Sequence, residues 1–276
     1  MNDSRPDTGY NADPESESLH PAEQSCVLPV HILPQPDDET CGPTCLHAVY
    51  QYWGERVGLD EVIDSANSLN ITNAGRGTLA VMLGTHALTR GYRASLYTFN
   101  LRVFDPTWFD DDGNADSTLL TEKLRAQSMV KGSDDSRFAV ATESYLEFLA
   151  HGGVICYREL TSQLISGFIK DGSPVLTGLS ATYLYGCARE YGPNDDYDDI
   201  RGEPAGHFVV LHGYESKGRL VTVADPLANN PGYSDQGYTV PMSRLVPAIM
   251  LGVLTYDANL LVLEPVDRKA HAEQNR

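Results

Sequence analysis

The spacing of apolar side chains changes period along this chain, and that change divides it. Between Cys41 and Trp53, Leu46, Val49, Tyr50 and Trp53 recur every three or four residues, which predicts a helix with one face in the core. Leu59 to Leu69 and Thr78 to Thr89 carry the same period, and Tyr92 to Phe99 reads as a strand. The polar stretch Pro106 to Ser136, with Asp110-Asp111-Asp112-Gly113-Asn114, predicts a loop holding a helix around Leu119 to Met129. A further helix closes over Tyr145 to Leu149 before His151-Gly152-Gly153, and another spans Leu160 to Lys170. Beyond it the apolar runs shorten into strands at Ser173 to Leu179, His207 to Tyr214, Arg219 to Asp225 and Leu260 to Leu263. A short strand over Val27 to Leu33 is expected to lead into the first helix. The pattern predicts an α+β fold, a helical first half packed on a strand-rich second half.

Two features carry chemistry, one at a helix start and one at the ends of two strands. Thr40-Cys41-Gly42-Pro43-Thr44-Cys45-Leu46 places Cys41 at the start of the first predicted helix, with Gln35 six residues upstream. The unpaired N–H groups and positive dipole end of a helix N-terminus favour thiolate over thiol, and the thiolate is the nucleophile. A glutamine beside the same helix end brings an amide donor for an oxyanion, next to the Cys41 N–H. The run Gly206-His207-Phe208-Val209-Val210 opens a buried strand on a histidine, and Val223-Ala224-Asp225-Pro226 closes a second on an aspartate. Glu215-Ser216-Lys217-Gly218 between them reads as a hairpin loop, so antiparallel pairing brings the His207 and Asp225 ends together. A cysteine, a histidine to take its proton and a carboxylate to fix the imidazole form the logic of an activated nucleophile.

Taken together and in this order, the Gln35, Cys41-Gly42-Pro43, His207 and Asp225 motifs resemble the papain-like cysteine peptidases. They are most similar to the bacteriocin-processing (double-glycine) peptidase-like family and its stand-alone relatives. The resemblance implies a papain-like cysteine proteinase fold, with a helical lobe carrying the nucleophile packed against an antiparallel sheet lobe carrying His and Asp. It implies Cys41 as nucleophile, Gln35 as oxyanion donor, His207 as general base and acid, and Asp225 as the group orienting the imidazole. The implied activity is hydrolysis of a peptide or amide bond through a thioester acyl-enzyme. The residues around Cys41 and the His207-to-Asp225 spacing also resemble phytochelatin synthases, which leaves an acyl or peptidyl transferase as the alternative. A non-catalytic peptide-binding module on the same fold is the third reading. The domain is expected over residues 26–265, with an insertion over 100–153, an acidic disordered lead over 1–25 and a polar tail over 266–276.

Composition narrows the partners. The net charge of −18 argues against nucleic acid, which needs clustered Lys and Arg, and against an anionic membrane surface. No basic and apolar leader pattern opens the sequence, so the cytoplasm is the expected location, with oligomeric state open. The five cysteines have no metal-ligand spacing, so neither a metal nor another cofactor is expected; Cys45 reads as packing, and Cys26, Cys156 and Cys187 as free thiols. Asn194-Asp195-Asp196-Tyr197-Asp198-Asp199 reads first as a solvated loop; as a rim of the cleft it makes Gly206, Asp195 and Asp196 candidate substrate-binding residues. Its spacing does not match an EF-hand calcium loop. His31, His47, His86, His151 and His212 lack the Cys–His–carboxylate context and are expected to be ordinary hydrogen-bonded residues.

Overall fold

Gly42 lets the first helix lie close against its neighbours. A Cβ at this position would stand 3.1 Å from Leu83 Cδ1 and 3.3 Å from Phe208 Cδ2, so a side chain there would push the first helix off its neighbours. The computed structural model describes residues 25–69, 78–132, 135–255 and 257–267. Almost all of the expected acidic lead and polar tail lies outside the described residues.

The chain runs β1 (Cys26–Val27), α1 (Cys41–Tyr52), α2 (Leu59–Leu69), α3 (Ala80–Thr89), β2 (Tyr92–Thr98), α4 (Ser117–Lys131), α5 (Ser136–Ala150), β3 (Val154–Cys156), α6 (Ser162–Lys170) and β4 (Val175–Ser180). It continues through α7 (Ala181–Tyr185), β5 (Glu190–Tyr191), β6 (Asp196–Tyr197), β7 (Gly206–Glu215), β8 (Leu220–Ala224), β9 (Gly237–Pro241), α8 (Met242–Leu251) and β10 (Asn259–Pro265). Eight strands form one sheet in the order β3-β2-β10-β4-β7-β8-β9, with β1 added to the far end of β7. Among the described residues, only β2 and β3 pair in parallel. The expected α+β architecture is present, with Cys41 on a helix, His207 on a strand of the mainly antiparallel sheet and Asp225 directly after the end of β8.

Several expectations are refined. The strand expected over Val27 to Leu33 is confined to Cys26–Val27, because Pro29 has no N–H to continue a ladder. The helix around Leu119 to Met129 extends over Ser117–Lys131, capped by Asp116, which accepts from the Thr118 and Leu119 N–H groups. Helix α8 gave no readable signal because Pro247 sits inside it, yet Leu245, Ala248 and Ile249 bury one face against the sheet. The halves are not separate lobes in sequence. Strand β10, from the C-terminal end, lies between β2 and β4, and Trp53 ties α1 to it by donating to the Leu263 carbonyl at 2.9 Å. Trp53 is therefore packing, and Leu46, Val49 and Tyr50 are buried as their spacing predicts.

Candidate active site

Cys41 is the first residue of α1, and the helix start is left open. Thr40 precedes it without making a side-chain cap bond, and its hydroxyl instead donates to the Asp37 carbonyl at 3.2 Å. Pro43 has no N–H, so the first turn presents the Cys41 and Gly42 N–H groups to whatever lies at the helix end. One turn further on, Cys45 is fully buried and its Sγ donates to the Phe208 carbonyl at 3.3 Å. That contact fixes α1 lengthwise against β7 and brings Cys41, one turn back, to the His207 end of the strand.

A bulge in the β7–β8 hairpin decides which way Asp225 faces. Near the loop, Gly213 pairs with Thr222 and Tyr214 with Val221; past the irregularity, Leu211 pairs with Val223 and Val210 with Ala224. Had the first register continued, Asp225 would stand opposite Val210, on the Phe208 face of the sheet. The one-residue shift at His212 places it opposite Val209, on the His207 face, as a diagonal neighbour of His207. The bulge is held by the segment after β1: Leu28 donates its N–H to the His212 carbonyl at 2.7 Å, and its carbonyl accepts from His212 Nδ1 at 2.8 Å.

His207 Nε2 stands 2.9 Å from Asp225 Oδ1. A carboxylate only accepts, so Nε2 carries the proton there and Nδ1 is left to face Cys41. Burial alone would lower the proton affinity of His207, but hydrogen bonds to Asp225 and Cys41, with their charges, push it up to about 10. Asp225 is fully buried, which would raise its carboxyl, yet the His207 bond and charge, the Tyr238 hydroxyl and the Leu227 N–H hold it below the usual range.

No sequence motif marks the two tyrosines that complete this cage. Tyr185 and Tyr238 both donate to Asp225 Oδ2, at 2.8 and 2.7 Å. Tyr233 stacks on Tyr238 with ring centroids 3.7 Å apart, and Tyr185 lies 6.1 Å from the His207 ring. Four donors thus converge on one buried carboxylate, and both tyrosine hydroxyls are held neutral by burial and the Asp225 charge. No local spacing relates positions 185, 225 and 238, so only the folded chain reveals the cluster.

Gln35 is brought to the same end of the hairpin. Its backbone N–H donates to the Pro226 carbonyl at 2.9 Å, one residue past Asp225. Its side-chain amide donates to the Asp37 carbonyl at 2.8 Å, and its Oε1 is buried without a partner. Gly206 opens β7 beside His207; a Cβ there would meet Thr255 Oγ1 at 2.8 Å. The acidic run is not a bare loop: its β6 pairs with β5 just before it in a two-stranded ribbon. Asp196 is exposed on it and Asp195 half-buried, while Asp198 turns inward on its own segment to accept from the Ile200 and Arg201 N–H groups and from Arg201 Nε. Glu190, which the motifs did not single out, is half-buried; burial and then the negative Asp195 and Asp38 push its carboxyl up, partly offset by His207. The ribbon and the Asp37–Glu39 turn therefore put negative charge beside the Cys41–His207 pair.

The remaining histidines have the ordinary partners expected of them wherever a bond is described. His47 Nε2 lies 3.1 Å from the Val57 carbonyl, His86 bridges the Tyr50 and Ser65 hydroxyls, and His151 meets the Glu147 carbonyl. All five cysteines are free thiols. Among the described residues, no helix is long and apolar enough to cross a membrane.

Residues 130–244 match the family model described as the Peptidase_C39 like family, a span that contains His207 and Asp225 and begins after Gln35 and Cys41. Two solved structures are similar over most of the chain. A C39-like peptidase candidate from Bacillus anthracis aligns at 16% identity, over 88% of this chain and 98% of its own, with a TM-score of 0.39. Xylellain, a cysteine protease from Xylella fastidiosa, aligns at 15% identity, over 89% of this chain and 87% of its own, with a TM-score of 0.34. No curated protein matches. Over residues 130–244, then, the chain is similar to the same C39-like peptidases that its Gln35, Cys41, His207 and Asp225 motifs resemble.

Proposed function

We propose that this protein is a cysteine-dependent hydrolase that cleaves a peptide or amide bond through a thioester at Cys41. The observation that carries the reading is the position of His207, whose Nε2 is engaged by a buried Asp225 while its other face meets Cys41. An imidazole so held takes the thiol proton and keeps it close as imidazolium. The Cys41 sulfur then attacks the carbonyl carbon. The open first-turn N–H groups of α1 receive the oxyanion, joined by the Gln35 amide once it leaves the Asp37 carbonyl. His207 returns its proton to the leaving amine, and water resolves the thioester. Asp225 keeps the imidazole in one tautomer and orientation, and Tyr185 and Tyr238 position Asp225. Asp195 and Asp196, with Gly206 at the strand opening, form the substrate rim in this reading.

Alkylation of Cys41 by iodoacetamide, followed by mass spectrometry of its peptide, tests the reading without a known substrate. Rapid labelling at pH 6 that collapses in His207→Ala is the expected result, followed by loss of turnover in Cys41→Ala. Slow labelling at pH 6, equal in the two proteins, refutes it. Adding acceptor amines to a turnover assay separates hydrolysis from transfer.

A further inference from the structure

A groove of about 410 Å³ runs along the outer side of the β4 and β7 ends, lined by Ser180, Tyr183, Arg189, Pro204, Arg244 and Leu254. It lies near the site just described along the chain and the sheet: Ser180 pairs with Gly206, the residue before His207, and Pro204 stands two positions before Gly206. Its chemistry is unusual for this chain. Arg189 and Arg244 are half-buried, and neither makes an ion pair among the described residues, although the chain carries a net charge of −18.

Arg244 is fixed in place. Its Nε donates to the Leu184 carbonyl at 2.8 Å and one terminal nitrogen to the Tyr183 carbonyl at 3.0 Å, at the end of α7. Gly186 makes the room, since a Cβ there would come within 3.0 Å of that guanidinium. A guanidinium has five N–H donors, so the remaining ones are left to the groove. Arg189 donates to the Asp199 carbonyl; the nearby Asp198 carboxylate is already taken by Arg201 and two turn N–H groups. Beside the two cations stand apolar side chains turned to solvent: Tyr183 at 42% exposure and Leu254 at 55%. Two cations that make no ion pair among the described residues, walled by exposed apolar surface, are complementary to a carboxylate flanked by apolar groups.

We propose that this groove is a subsite for the substrate peptide, seating an acidic side chain on Arg244 and Arg189 and its apolar neighbour against Tyr183 and Leu254. The assignment to a substrate rests on the proposed hydrolase reading; the peptide-binding chemistry does not. Binding is therefore measured on Cys41→Ala protein, by fluorescence anisotropy with a labelled, amidated hexapeptide containing Leu-Glu-Leu. The control peptide has Gln in place of Glu. The Glu peptide is expected to bind at least about tenfold tighter, as a hydrogen-bonded charge pair implies. That preference is expected to vanish in Arg244→Gln. Because Arg244 also braces α7, Leu254→Asp serves as the second variant: it changes an exposed side chain and places a repelling charge in the groove. Equal affinity of the two peptides, no binding of either at about 1 mM, or a Glu preference surviving Leu254→Asp overturns the proposal. Failed binding with fast, His207-dependent alkylation of Cys41 loses only the groove. Binding without that alkylation leaves a peptide-binding groove on a non-catalytic protein.

Discussion

Replacing Asp225 with Asn tests whether the buried carboxylate is what keeps His207 protonated. The partners are 2.9 Å apart, with side chains 6% and 0% exposed, so solvent does little to screen them. Raising His207 from 6.5 to about 10 corresponds to roughly 5 kcal/mol in favour of the imidazolium, at about 1.4 kcal/mol for each tenfold change in proton affinity. That figure is shared between Asp225 and Cys41. Independently, removing one member of a buried ion pair costs about 3 to 5 kcal/mol. Asn keeps the shape, but its amide nitrogen meets a donor from either His207 or the two tyrosines, so one contact is lost in any orientation. The sign of the pH dependence follows from the raised histidine. Its contribution is full below about pH 6.5 and is lost as pH rises through about 10, whereas Asp225, held low, contributes above its ordinary range and loses that only in acid. Urea unfolding from pH 6 to 10 is the assay. The parent is expected to lose stability steadily over that range, and Asp225→Asn to be weaker by about 3 kcal/mol at pH 6 with a much flatter alkaline slope. A loss below about 1 kcal/mol together with parallel slopes would show that the pair is not the source of the raised histidine.

Other perturbations reach different parts of the molecule. Gly42→Ala should cost about 1 to 3 kcal/mol, since its Cβ crowds Leu83 and Phe208; a thermal midpoint equal to the parent's would refute that close approach. Asp257 is buried, accepts from the Ala80 N–H at the start of α3, and is pushed up to about 7 by that burial, against its bonds from Asn259 and Ala80. A raised acid is protonated in the fold and ionised in the unfolded chain, so its contribution is full below about pH 4 and lost as pH rises through 7. Asp257→Asn should flatten that segment of a stability profile, and parallel curves would exclude it. Neutralising Asp196, which is exposed, and the half-buried Asp195 should leave the melting temperature within about 2 °C while shifting preference between cationic and neutral peptides. Unchanged preference removes them from the rim.

The sequence by itself determined the elements and their chemistry, because both are local. A helical period over Leu46, Val49, Tyr50 and Trp53 requires a buried stripe wherever the helix is placed, and Cys41 stands at its open end whatever surrounds it. A hairpin loop at Glu215–Gly218 brings His207 near Asp225 by chain connectivity alone. What the tertiary structure decided is orientation, which is not local. The face on which Asp225 stands depends on one extra residue at His212, and that bulge is held by Leu28, 184 positions away in sequence. The Tyr185 and Tyr238 bonds to Asp225 join positions 40 and 13 residues distant, where no period links them. A side-chain pattern fixes which residues leave water, but the partner a buried polar group meets is set by the packing of segments remote in the chain, and that is where the site was completed.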